Sequence, residues 1–436
     1  MAWTKQGLVT LSIGRWKSDP GFWSLVDQGC VSAGNFITTI LLARVLAPSE
    51  YGIYALLFAF MLFAVSMHSA AVVYGLSLYG AKASRHELCR LVGGSLVLTA
   101  WLGTALGALT AAIAILFHAS SVALWILLAL LFWQFQETTR RGLMATLRHG
   151  DAVWGDALSY VGQAALLASA FLAHKLTLPF AFQAMAATSL AAATLQAFQL
   201  RIRPDHFRGA LSLVAKFWRV GRWALLVGLA QAFIGQALLW FLALRQIADV
   251  ASFQSLLNLV RVTNPVMFAV GSVVLPTVAA RRNEPVAALR AVRNYVFLGA
   301  SILLPYLAFI SVFPEWVLRV VYGSNSAYAG LGADLRVLVL GSAFAYVGHA
   351  LGMYYFGLSR SEVVFRCNFL AAVTTVVAGV VLVSQAAVLG SAVAYDLTFA
   401  AAMIGYAWFL RRDARSVATE AVTTGQTLDA GGIGGR

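Results

Sequence analysis

Apolar runs of about 20 residues recur along the chain, separated by short connectors in which Lys and Arg collect. An α-helix needs about 20 mostly apolar residues to cross roughly 30 Å of hydrocarbon, so each run predicts a transmembrane helix. Twelve can be placed, at about 24–46, 52–78, 91–117, 121–139, 154–173, 178–200, 221–243, 250–278, 294–313, 332–357, 363–385 and 388–410. The expected fold is all-α and membrane-embedded. Only the two ends and the connectors fall outside it.

Composition agrees with the pattern. Hydrophobic residues make up 60% of the chain and charged residues 11%, against about 25% charged in a soluble domain, and mean hydropathy is +0.79. Lys5, Arg15, Lys17 and Asp19 interrupt any early apolar core, so a cleavable signal peptide is not expected and insertion begins with the first span. Cys30, Cys89 and Cys367 show neither metal spacing nor a disulfide framework, and read as packing residues.

Charge then orients the chain. With the N-terminus inside, alternate connectors hold 25 of the 31 Lys and Arg residues, and the outside connectors hold Arg44, Lys175, Arg245, Arg319 and Arg336. By the positive-inside rule both termini are expected in the cytoplasm. The net charge of +14 is then that of basic inner loops facing anionic lipid headgroups, and no nucleic-acid partner is expected. The one basic residue left over is Arg261.

The chain also repeats. WSLVDQGCVSAGNFITTILLARVLAPSEYGIYALLFAF, from Trp23, aligns with WALLVGLAQAFIGQALLWFLALRQIADVASFQSLLNLV, from Trp223, so that Arg44 falls near Arg245 and Glu50 on Asp249. LRHGDAVWGDAL (147–158) likewise resembles LSRSEVVFRCNFL (358–370). Six spans per half makes the halves parallel repeats, an arrangement suited to alternating access. The expected domains are a six-helix lobe over 1–200, a cytoplasmic amphipathic linker over 201–220, a second six-helix lobe over 221–410 and a disordered tail over 411–436. Pro204 and Gly209 break the chain ahead of Leu211, Leu213, Val214, Phe217 and Trp218, which are expected to lie along the inner interface.

Polar residues inside spans carry the candidate chemistry, because an ionisable group at bilayer depth persists mainly where it faces protein or water. Arg261 lies about 16 Å inside its span at 1.5 Å per residue, near the midplane. Gln254, Asn258, Arg261 and Pro265 share one helical stripe at i, i+4, i+7 and i+11. Two readings remain open. Arg261 pairs with a carboxylate, Asp27 on the first span being the candidate, or it lines a hydrated cavity and meets an anionic ligand, to which a five-donor guanidinium is suited. Gln28, Asn35 and Thr39 form a matching face on the first span, and Gln231 and Gln236 lie on the seventh; such amides and hydroxyls suit sugar hydroxyls.

Other polar positions have plainer readings beside their functional ones. His68 is either a proton-linked switch or hydrogen-bonded packing. Glu137, Arg140 and Arg141 read as a solvated helix end that could also greet a negatively charged headgroup. Asp396 reads as a buried lock, and Asp156 and His349 carry no assigned role. Gly103 and Gly107 allow close helix packing. No nucleotide loop, metal cluster or nucleophile–base pair is present in the sequence, no cofactor is expected beyond possible coupling to H⁺ or Na⁺, and the expectation is a transporter rather than an enzyme.

LLARVLAPSEYGIYAL (41–56), VVLPTVAARR (273–282), FPEWVLRVVYGSNSAYA (313–329) and GLSR (357–360) together resemble the polysaccharide-repeat (O-antigen or exopolysaccharide, Wzx-like) flippases of the superfamily that includes multidrug/toxin extruders and oligosaccharidyl-lipid exporters. The resemblance implies a MATE-like, V-shaped pair of lobes in the bacterial inner membrane. It further implies movement of a polyprenyl-diphosphate-linked oligosaccharide to the outer leaflet for cell-surface polysaccharide synthesis, with glycan polymerase and chain-length proteins as possible partners. Arg261 looks similar to the cavity arginines of such proteins. The chain departs from them in its first lobe, where Arg44 and Arg140 sit at helix ends. Two rivals stand beside this reading. One is a cation-coupled extruder using Asp27, and the other is a membrane polymerase or ligase, for which the longest outside connector, about 314–331, offers only Glu315 and Arg319.

Overall fold

The computed structural model describes residues 20–281 and 285–430. The expected cytoplasmic N-terminus and the last six residues of the expected tail lie outside the described residues. Among the described residues the structure is all-helical: α1 (Pro20–Val45), α2 (Pro48–His68), α3 (Tyr74–Gly80), α4 (Arg85–Leu116), α5 (Ala123–Met144), α6 (His149–Asp156), α7 (Gly162–Leu172), α8 (Leu178–Leu200), α9 (Ala210–Arg245), α10 (Ile247–Val260), α11 (Asn264–Ala280), α12 (Pro285–Val312), α13 (Pro314–Tyr322), α14 (Gly332–Gly357) and α15 (Ser361–Ala430). Ten stretches of the described residues are long and apolar enough to cross a membrane.

Helix ends follow local chemistry. Pro48 opens α2 with its ring in the first turn, where a missing N–H costs nothing. Ser84 and Glu87 form a reciprocal cap on α4, Ser84 N–H donating to Glu87 Oε2 at 2.9 Å and Glu87 N–H to Ser84 Oγ at 3.4 Å. Thr177 caps α8 through the Phe180 N–H at 3.4 Å, and Arg201 closes α8 at φ 59°.

α15 is 70 residues long but is not one helix, since Ala386 (φ −130°, ψ 18°) and Ala387 (φ 46°, ψ −113°) break it, at the gap left between the expected spans 363–385 and 388–410. Arg245 donates to the carbonyls of Val383 at 3.0 Å and Ser384 at 2.7 Å, satisfying acceptors stranded just before the break. The fifth expected span takes the form of α6 and α7 joined by a π-helical turn, Ala157–Val161. The tail begins as helix, because α15 continues to Ala430 with no Pro and no Gly after Gly405 until Gly425.

The chain divides into two compact units, Met1–Leu229 and Ala230–Arg436. The division falls inside α9, whose 36 residues are unbroken. Residues 210–220 of the expected interfacial linker form the first turns of α9, ahead of its membrane-spanning part, Ala224–Arg245. Gly221 permits this, its Cα lying so close to the first unit that an added Cβ would meet the Ala70 carbonyl at 2.5 Å. In the first unit, Leu76, Val92, Leu143, Ala152, Leu200 and Phe217 form one core. In the second, Ile234, Ala371 and Ala402 pack together. The two corners that align in the sequence carry charges at matching helix ends. Arg44 ends α1 and Glu50 opens α2, while Arg245 ends α9 and Asp249 opens α10.

Candidate functional site

Two ionic features stand inside spans, one in each unit. In the first unit Arg140, on α5, is surrounded by three carboxylates. Its Nε donates to Asp156 Oδ2 at 2.5 Å and its Nη1 to Glu137 Oε2 at 3.0 Å, while Nη2 donates to Asp27 Oδ2. Arg141 Nε donates to the other oxygen of Glu137 at 2.6 Å, and Gln136 Nε2 donates to Asp156 Oδ1 at 3.1 Å. The side chains of Arg140, Asp27 and Asp156 are 10%, 2% and 0% exposed. The expected solvated helix end is thus a buried ionic network, and Asp27 takes Arg140 as its partner rather than Arg261.

Depth explains the assembly. Asp27 lies early in α1, Arg140 late in α5 and Asp156 at the end of α6, all towards the same end of the helices, so antiparallel neighbours bring them to one level. Three carboxylates share two guanidiniums. Asp156 was unassigned from the sequence; the signal that could have found it was its shared depth with Asp27 and Arg140. Gly34 sets the approach of α1 to this region, since an added Cβ would meet the Tyr160 carbonyl oxygen at 2.6 Å.

His68 is fully buried but bonded to hydroxyls, with Nε2 2.9 Å from Thr99 Oγ1, which is itself 2.9 Å from Thr138 Oγ1. Like Asp156, His68 is followed directly by a π-helical turn, Ser69–Val73, a deviation that often accompanies functional positions in helices.

In the second unit, Arg261 does not lie on a continuous helix. α10 ends at Val260, a 3₁₀ turn spans Arg261–Thr263, and α11 follows with Pro265 in its first turn. Pro265 has no N–H to return to the Arg261 carbonyl, and its ring would crowd that carbonyl in an α-helix. The carbonyl instead accepts from the Asn264 N–H three residues on. Tyr306 donates to the Leu259 carbonyl and Tyr322 to the Ser255 carbonyl, each at 2.7 Å, pinning the end of α10. The guanidinium of Arg261 is half-buried and reaches the Gly235 carbonyl of α9 at 3.4 Å.

The remaining candidates separate. Gln254 and Asn258 are buried and bonded to each other at 2.7 Å, so the expected open stripe is packed interior up to the turn that carries Arg261. Gln236 is buried, Gln28 and Asn35 are half-buried, and Gln231 is exposed. Thr39 spends its hydroxyl on the Asn35 and Phe36 carbonyls. Asp396 packs against Gly341, where an added Cβ would collide with its Oδ1.

No protein-family model matches the chain, and no curated protein matches its sequence. Solved structures do match its fold. A multidrug resistance MATE family transporter of the MOP superfamily, in an inward-facing conformation, superimposes with TM-score 0.76 at 18% identity, over 87% of this chain and 93% of its own. The fold is similar to that of this transporter. The lipid II flippase MurJ, in an inward closed conformation, gives TM-score 0.74 at 11% identity, covering 89% of this chain and 87% of MurJ. A MOP superfamily transporter from Pyrococcus furiosus, described as having a binding pocket of reverse polarity, gives 0.64 at 17% identity over 93% and 98%.

Proposed function

We propose that the chain is an alternating-access flippase of twelve spans, two parallel repeats of six, that moves a polyprenyl-diphosphate-linked oligosaccharide from the inner to the outer leaflet of a bacterial cytoplasmic membrane for surface polysaccharide synthesis. The observation that carries this reading is Arg261, a permanent cation at mid-span in a turn that Pro265 unwinds. A broken helix at midplane is a recurrent way for transporters to present polar groups to cargo, and a guanidinium suits a diphosphate. The fold of a lipid II flippase supports the same cargo class. The test is translocation of a fluorescent polyprenyl-diphosphate oligosaccharide in proteoliposomes. Wild type should move the lipid and Arg261→Ala should not.

The first-unit network supplies the coupling. Arg140 fills the space among Asp27, Glu137 and Asp156, and with Arg141 on Glu137 three carboxylates face two guanidiniums, leaving one negative charge for an exchangeable H⁺ or Na⁺. Asp156→Asn should abolish stimulation of transport by an imposed proton gradient.

A second reading, a cation-coupled extruder of the same fold, is favoured by that surplus of carboxylate and by the MATE neighbours. A central arginine opposes cationic cargo. Drug resistance lost in Asp27→Asn but kept in Arg261→Ala would select it.

A further inference from the structure

The first turns of α9 present three different sides. Ala210 and Phe217 are buried against α4 and α3, with Ala210 Cα 3.6 Å from the Cβ position of Gly94 and Phe217 Cδ1 2.5 Å from that of Gly75. At about 100° per residue, Leu211, Val214 and Trp218 fall together on a second side, where they are 70%, 48% and 57% exposed. Lys216 and Arg219 form a third side, both exposed, with Arg208 just ahead of the helix. The Lys216 ammonium is held 4.2 Å over the Tyr79 ring.

One turn beyond Trp218 the exposed Arg222 falls on the same side, so the apolar side is a patch lying just ahead of the spanning part, Ala224–Arg245, at the depth where headgroups meet acyl chains. The cationic side borders it directly. The acids nearby, Glu87, which caps α4 and also interacts with Lys216, and the exposed Asp205 beside His206, are outnumbered by Arg208, Lys216 and Arg219. A soluble anion would satisfy only the cations, and a zwitterionic lipid only the apolar side.

We propose that the inner end of α9 is a binding site for an anionic phospholipid of the inner leaflet, its headgroup between Lys216 and Arg219 and one acyl chain along Leu211, Val214 and Trp218. The inference is independent of the transported cargo, because it uses no residue of either ionic site.

The test is native mass spectrometry of the full-length protein in mixed micelles titrated with phosphatidylglycerol or phosphatidylcholine. Wild type retains phosphatidylglycerol preferentially, and the Arg208→Gln, Lys216→Gln, Arg219→Gln triple variant loses that preference by ~10-fold or more, each interfacial cation contributing a several-fold share. Replacing Leu211, Val214 and Trp218 by Ser weakens both lipids alike. An unchanged phosphatidylglycerol preference in the triple variant would overturn the site, as would competition by inorganic diphosphate as effective as that by the phospholipid. Should the triple variant not fold, Lys216→Gln and Arg219→Gln alone decide it: each must lower the preference several-fold, and wild-type behaviour in both counts against the site.

Discussion

The guanidinium of Arg140 on α5 donates to the carboxylate of Asp27 on α1, across 113 residues of chain. The pair is buried, and Asp156 and Glu137 complete its surroundings. Removing the cation strands carboxylates at depth, which costs about 3–5 kcal/mol. Arg140→Gln should therefore lower the melting temperature of the purified protein sharply, and the double variant Asp27→Asn, Arg140→Gln should recover part of the loss. Strictly additive losses would show that the two side chains are not coupled.

Glycine at position 34 serves the same assembly. A methyl group there meets the Tyr160 backbone, whereas at Gly29, one helical turn earlier and a half, it meets nothing within 4 Å. Gly34→Ala should destabilise the protein by about 1–3 kcal/mol, and Gly29→Ala should leave it unchanged or slightly more stable. Equal melting temperatures for the two variants would contradict the close approach of α1 to the π-helical turn.

Pro265 makes the turn that carries Arg261. Pro265→Ala restores an N–H that can return to the Arg261 carbonyl and so allows α10 and α11 to join as one helix. It should lower transport by drawing Arg261 into a regular helix. A variant that is folded and fully active would separate the turn from function.

Tyr306 caps the last turn of α10, and Tyr322 bonds the Ser255 carbonyl one turn earlier within it. Tyr306→Phe and Tyr322→Phe each remove one hydrogen bond to a carbonyl and should cost ~1 kcal/mol, rising towards ~3 where the carbonyl stays buried. Thermal unfolding of the two variants checks this directly.

Much of the fold was legible from length. The 48-residue stretch 363–410 is too long for one crossing, and the chain does break, at Ala386 and Ala387, although neither alanine favours a turn. The site was legible only in part. Arg261 and Pro265 stood out as polar and helix-breaking, but hydropathy treats a span as continuous and misses both the turn at Arg261 and the bond that makes Gln254 and Asn258 interior packing. Arg140 looked solvated because hydropathy registers only distance along its own helix. Its burial comes from Asp27 and Asp156 arriving at the same depth on other helices, a property of three segments together. The continuity of α9 was hidden by Gly209, whose φ of 82° ends the preceding loop without interrupting the helix that follows.

The central claim is that Arg261 engages an anionic cargo. The direct measurement is translocation of a polyprenyl-diphosphate oligosaccharide by Arg261→Ala, Arg261→Lys and wild type in proteoliposomes, with melting temperature recorded for each. Loss of translocation in the alanine variant at unchanged melting temperature, with partial recovery in the lysine variant, is the predicted result. Wild-type translocation by Arg261→Ala would contradict it.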